Sequence, residues 1–211
     1  MPIFIGDAHG KFSQYKAIIK EHKDTIQVGD MGIGFRRWPH GEYSQNPPYD
    51  EMVKANAQFI RGNHDNPAVC RKHSQWIKDG YVREDKWFGD MMFIGGAYSI
   101  DKAFRDEGFN WWPDEELSVD ELVPITIRYM NTKPACMVTH DCPKSIYPML
   151  HSHHFVDLPQ RTPQALQAMW EVHKPKLWVF GHHHKSFDMI VDGTRFVCLA
   201  ELEVKELNWE K

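Results

Sequence analysis

No stretch of the 211 residues reaches 18 consecutive apolar positions, which excludes a membrane-spanning helix. Cysteine is scarce. Cys70, Cys136, Cys142 and Cys198 form no Cys-x-x-C pair. That spacing excludes a disulfide-rich scaffold and a zinc built from thiolates alone, and four reduced, buried thiols are expected. Positive charge is not in excess: 25 Lys and Arg stand against 29 Asp and Glu, a net charge of −4. No global field therefore draws nucleic acid or an anionic membrane. Repeats, low-complexity tracts and linkers are also lacking, so one domain over residues 1–211 is expected. The start, Met-Pro-Ile-Phe-Ile-Gly-Asp, has neither a basic nor a long apolar region, and we expect no signal peptide and a cytoplasmic location.

What is there is ordinary in bulk and unusual in detail. Hydrophobic residues make up 42% and charged residues 26%, as in a globular domain rather than a disordered or fibrous chain. The 13 histidines raise the expectation of a metal or acid–base site. Short apolar runs at Ile3 to Ile5, Thr25 to Val28, Phe59 to Arg61, Met91 to Ile94, Ala135 to Thr139 and Leu177 to Phe180 read as buried strands. Helices are expected from Phe12 to about His22, over Asp50 to Asn56, and from Pro67 toward His73. Ser118 with Glu121 forms a capping-box pattern, weakened by Pro124, and Thr162-Pro163 reads as N-cap and first residue of a helix to about His173. Asp192-Gly193 between apolar runs signals a two-residue hairpin, and Met31 to Tyr49 reads as a long loop. The pattern is α/β.

Five of the apolar runs end in polar residues of one chemical kind: Asp7 and His9, Asp30, Asn63 and His64, His140, and His182 with His184. Strand ends at the carboxyl side form the ligand crevice of open α/β sheets, so these residues are expected to meet in one site. Asp7, His9, Asp30, Asn63, His140, His182 and His184 are too many donors for one tetrahedral zinc. They suit two divalent cations sharing a bridge, and mixed nitrogen and oxygen donors favour transition metals, Mn first with Fe, Zn, Co or Ni as alternatives. A glycine precedes Asp7, Asp30, Asn63 and His182, which we read as allowing a sharp turn at each. By strand alternation, His182 and His184 share a side and His183 points away.

The set Gly6-Asp7-Ala8-His9-Gly10, Gly29-Asp30, Gly62-Asn63-His64-Asp65, His140 and Gly181-His182-His183-His184 resembles the calcineurin-like metallophosphoesterase superfamily over residues 6 to 184. The resemblance implies a four-layer α/β/β/α sandwich with two mixed sheets. It implies one metal on Asp7, His9, Asp30 and His184, a second on Asp30, Asn63, His140 and His182, and a bridging water or hydroxide as the in-line nucleophile. It also implies a catalytic His64, with Asp65 orienting it. The chain departs from the protein-phosphatase branch: Gly-Asp-Met-Gly-Ile-Gly-Phe-Arg-Arg replaces that branch's arginine motif, and Asp65 stands where that branch favours Glu.

Arg36, Arg37 and Arg105 are candidate phosphate contacts, because guanidinium forks match phosphate oxygens. Phe35, Trp38, Trp111 and Trp112 are read as loop packing in preference to a base-stacking platform. His151, His153 and His154 are read as a polar loop in preference to a third metal site, and for Asp141, beside His140, support of that histidine is the less favoured reading. The activity implied is that of a phosphomonoesterase acting on a phosphorylated small molecule, nucleotide or phosphoprotein. A phosphodiesterase or nuclease is the alternative, with nucleic acid disfavoured by the charge, and a non-catalytic scaffold is the remote one.

Overall fold

The computed structural model describes residues 1–36, 47–151 and 158–208. In chain order the first half contains β1 (Ile3–Ile5), α1 (Phe12–Glu21), β2 (Thr25–Gln27), α2 (Tyr49–Ala55), β3 (Gln58–Phe59) and α3 (Pro67–Cys70). The edge hairpin β4 (Val82–Asp85) and β5 (Gly89–Ile94) follows. Then come α4 (Val119–Thr132), β6 (Cys136–Thr139), α5 (Tyr147–Leu150), α6 (Arg161–Val172) and β7 (Leu177–Phe180). The last strands are β8 (Phe187–Val191), β9 (Thr194–Cys198) and β10 (Val204–Glu206).

These strands form two mixed sheets. The smaller has the order β10-β1-β2-β3, the larger β4-β5-β6-β7-β9-β8. Within them β1, β2 and β3 run parallel, as do β5, β6, β7 and β9, while β10, β4 and β8 add antiparallel edges.

The layers follow from side-chain alternation along strands that are apolar on both faces. Phe4 and Ile26 of the small sheet pack against Phe93, Val138, Val179 and Val197 of the large one, forming the core between the sheets. The intervening residues point outward. Met92, Met137, Trp178 and Phe196 meet α4, α5 and α6, and Ile5 and Phe59 meet α1, α2 and α3. Three cores therefore separate four layers, the expected α/β/β/α arrangement.

Local signals explain the element ends. Ser118 Oγ accepts the Glu121 N–H and the Glu121 carboxylate returns to the Ser118 N–H, a complete capping box. The helix runs on through Pro124, because packing of α4 against α6 outweighs the one backbone bond that proline removes. The expected Thr162 cap is displaced: α6 begins at Arg161, and the Thr162 N–H is capped by Glu116 from a distant loop. Asp192 and Gly193, with φ of 46° and 82°, form the two-residue turn joining β8 to β9.

Candidate metal centre

Five of the parallel strands deliver polar residues past their carboxyl ends. The small sheet supplies Asp7 and His9 after β1, Asp30 after β2, and Asn63 and His64 after β3; the large sheet supplies His140 after β6 and His182 and His184 after β7. All seven expected donors meet at the seam of the two sheets. Alternation is not what aims them. His9, Asp30, His182 and His184 have φ of 45°, 54°, 62° and 52°, so left-handed turns beyond the strands point them inward. The glycines also differ from expectation. Gly29 has φ +103°, but at Gly62 and Gly181 the requirement is room: a Cβ would overlap the Asp30 carboxylate at the first and the Asp7 carboxylate at the second.

The donors fall into two groups that share one residue. Asp7, His9, Asp30 and His184 offer atoms within 4.8 Å of one another, as do Asp30, His140 and His182. Asp30 faces both groups with different oxygens: Oδ1 lies 3.2 Å from His140 Nε2, and Oδ2 lies 3.7 Å from His9 Nε2. In the first group the Nε2 atoms of His9 and His184 stand 2.7 Å apart, with Asp7 Oδ2 at 3.2 Å from the latter. In the second, Asn63 Oδ1 lies 3.1 Å from both His140 Nε2 and His182 Nδ1.

This donor set fits a pair of cations. Asp7 Oδ1 is buried with no hydrogen-bond partner, and two buried carboxylates face ring nitrogens from every side. His140 Nδ1 faces the Val28 carbonyl at 2.8 Å, so Nδ1 carries the proton and Nε2 is presented inward. Burial opposes protonation of His140, yet Asp30 and Asp7 bring its pKa up to about 10. Burial likewise pushes the Asp30 carboxyl up, but His140, His64 and His9 outweigh it and hold it well below the usual range. Burial takes His182 down to about 3, against the pull of Asp141.

His64 forms the wall beside this floor. Its main-chain N–H donates to Asp30 Oδ1 at 2.7 Å, its ring stacks on Phe35 with centroids 4.7 Å apart, and its Nε2 meets Arg105 Nη2 at 2.8 Å. Since a guanidinium can only donate, His64 Nε2 is the acceptor. Burial lowers its pKa to about 4, with Asp30 opposing and Arg105 reinforcing the shift, so the ring is neutral.

The expected orientation of His64 by Asp65 does not hold. Asp65 is fully buried and its two oxygens accept the N–H groups of Met31, Gly32, Ile33 and Gly62 at 2.7–3.1 Å. Those four bonds occupy the carboxylate with tying the Asp30 loop to the Asn63 loop, and Phe35 and Arg105 set the imidazole instead. Of the candidate arginines, Arg105 reaches the site. Arg36 lies over the Phe109 ring at 5.2 Å to the centroid, and Arg37 falls outside the described residues, as do Trp38, His153 and His154.

The site opens into a pocket of about 450 Å³ whose walls include Tyr98, Ile100, Arg105, Tyr147, His151 and Gln160. Beside it lies a third cluster. Tyr147 Oη donates to Asp141, Cys142 Sγ meets His183 Nε2 at 3.5 Å, and His183 Nδ1 meets His151 Nε2 at 2.8 Å. His183 does point away from the two groups, and Asp141 supports this network rather than His140. Sequence reasoning missed Ser99, Glu115 and Tyr147. The signal for Ser99 was present: β5 also ends in a glycine pair, Gly95-Gly96, with Ser99 three residues beyond it, a sixth strand exit at the same edge.

Comparison with known proteins fits this geometry. Residues 3–186 match the calcineurin-like phosphoesterase family. No curated protein matches the sequence. In fold the chain is similar to a putative 5'-nucleotidase from Staphylococcus aureus (TM-score 0.52, 11% identity, 96% of this chain and 49% of that one). It is similar too to phosphopantetheinyl hydrolase from Mycobacterium tuberculosis (0.51, 14%, 95% and 90%). The GAP50 anchor of the inner membrane complex of Plasmodium also shares the fold (0.54, 12%, 94% and 71%). The chain thus spans about half the length of the staphylococcal protein. The family match covers most of the sequence and includes each of the strand exits that converge here: the chain belongs to the calcineurin-like phosphoesterase family.

Proposed function

We propose that the chain hydrolyses small phosphomonoesters at a pair of divalent transition metals, Mn first. The observation that carries this reading is the shared carboxylate, Asp30, which turns one oxygen to each of two donor groups at the floor of the pocket. Asp7, His9, Asp30 and His184 would hold one ion, and Asp30, Asn63, His140 and His182 the other. When bound, the pair supplies Lewis acidity and lowers the pKa of water toward neutrality. The chain's own residues do the rest. Arg105 offers a guanidinium to the phosphoryl oxygens, held at the pocket wall by Asp101 at 2.8 Å. His64 stands beside it to meet the leaving oxygen. A bound phosphate raises the pKa of that ring, since a nearby anion favours the imidazolium, and so readies it to donate a proton.

The pocket and charge support a small monoester. About 450 Å³ accommodates a ligand of nucleotide size, and a net charge of −4 does not attract a polyanionic strand. The 5'-nucleotidase fold neighbour accords with this substrate class. The four cysteines are free and buried, which suits a reducing cytoplasm, and no described helix is long and apolar enough to cross a membrane.

The test is turnover of matched nitrophenyl monoester and diester substrates with added Mn²⁺, with Asp30→Asn as the blank. Faster monoester hydrolysis is expected. Faster diester hydrolysis would transfer the assignment to a phosphodiesterase, and no turnover above the blank would transfer it to a binding scaffold.

A further inference from the structure

Ser99 lies in the segment after β5 and is 1% exposed. Its hydroxyl donates to Glu115 Oε2, and its main-chain N–H donates to Glu115 Oε1 at 2.9 Å. Glu115 is itself buried, and Arg61 pins its carbonyl from Nη1 at 2.7 Å. A hydroxyl carries one hydrogen. With that hydrogen committed to a carboxylate, Ser99 Oγ can only accept from its other neighbours. It accepts from Arg105 Nη1 at 3.1 Å and from Asn63 Nδ2 at 3.0 Å. An amide whose NH₂ group is held on one side must show its oxygen on the other. Asn63 Oδ1 is accordingly turned to His140 Nε2 and His182 Nδ1.

We propose that Ser99, held by Glu115, is a positioning residue that fixes the Asn63 amide with its oxygen facing the Asp30–His140–His182 group. A flipped amide would present hydrogens where a cation needs a lone pair. The inference rests on the reading of that group as one of two metal positions, and it gives the segment between β5 and α4 a function in the site. Support of a ligand by its hydrogen-bond partner typically alters metal affinity 10–100-fold.

The experiment is Mn²⁺ binding to metal-free protein by equilibrium dialysis, with low-temperature electron paramagnetic resonance reporting whether the ions form a coupled pair. The unsubstituted chain should bind two ions. Ser99→Ala should weaken one of them by about 10–100-fold and replace the coupled signal with that of an isolated ion, while Ser99→Thr, which keeps the hydroxyl, should restore both. Glu115→Gln tests the same chain by another route if Ser99→Ala does not fold. The new amide donates to Ser99 Oγ, the freed hydroxyl hydrogen turns toward Asn63, and one site should again weaken. Parent-like binding of two ions by Ser99→Ala or by folded Glu115→Gln, or no rescue by Ser99→Thr, overturns the proposal while leaving the two-metal reading standing. Fewer than two ions on the unsubstituted chain overturns that reading and this proposal together.

Discussion

At the scale of single residues, Asp65 and His64 separate structural from chemical duty. They are adjacent, yet one carboxylate is consumed by four main-chain N–H groups and the neighbouring ring faces the pocket. Asp65→Asn puts an amide NH₂ against N–H donors, and hydrogen bonds to charged groups contribute about 1.5–3 kcal/mol each. We expect a loss of about 3 kcal/mol or more in urea unfolding of the metal-free protein. His64→Gln should unfold like the parent and keep its metal, but lower kcat by roughly 10²–10⁴. A stable Asp65→Asn with an isolated loss of kcat would return Asp65 to the role of orienting His64. Sequence alone could not separate these roles, because three of the four main-chain donors that claim Asp65 come from residues 31–33, some thirty positions away.

At the scale of elements, the strand exits and the glycines before them were legible, and the glycines' purpose was not. A glycine ahead of a ligand reads as a turn; only the packed sheets reveal that Gly62 and Gly181 make room for carboxylates from other strands. Gly62→Ala should therefore displace Asp30 and abolish stoichiometric metal binding, with an overpacking penalty of about 1–3 kcal/mol in the apo melt. Metal content after reconstitution checks this, and a Gly62→Ala protein holding two ions would refute it. The edge strands β4 and β10 also escaped sequence reading. Both are short and charged, Val-Arg-Glu-Asp and Val-Lys-Glu, so they lack the apolar run that marks the central strands.

Charge on the edges has its own consequence. Asp188 on β8 accepts from Arg195 on β9 at 2.8 Å and from Lys205 on β10 at 2.9 Å, which ties the rim of the large sheet to the rim of the small one. The Arg195 bond, with Lys205 adding to it against some burial, holds the Asp188 carboxyl down at about 2. Its folded pKa lies below the ordinary value, so its stabilisation is present above the ordinary carboxylate range and is lost as pH falls through about 2. Asp188→Asn should melt below the parent at neutral pH, and the difference should shrink as the pH is lowered from about 4 toward 2. A difference constant over that range would exclude the carboxylate as its source.

At the scale of the whole molecule, the site is shared between the two sheets: Asp7, His9, Asp30 and Asn63 come from one and His140, His182 and His184 from the other. Ions bound there would fasten the two halves as a staple does. Ligand that binds only the folded state stabilises by about 4 kcal/mol at a thousandfold excess over Kd. Mn²⁺ should therefore raise the melting temperature of the parent, chelation should reverse the gain, and Asp30→Asn should show neither effect. The α/β class and the convergence of donors could be read from apolar runs ending in Asp, Asn and His. The seam itself could not, since which sheet each strand joins depends on pairings as distant as β1 with β10, residues 3–5 against 204–206.

The same division of donors sets an order of events during synthesis. While only the first third of the chain has emerged, the available ligands are Asp7, His9, Asp30 and Asn63, and neither pocket for an ion exists. Both are complete only once His182 and His184 have left the ribosome and the large sheet has docked, with β10 still to close the outer edge of β1. On the proposed assignment, a chain ending before residue 182 would carry Asp7, His9, Asp30, Asn63 and His140 without a complete donor group for either ion.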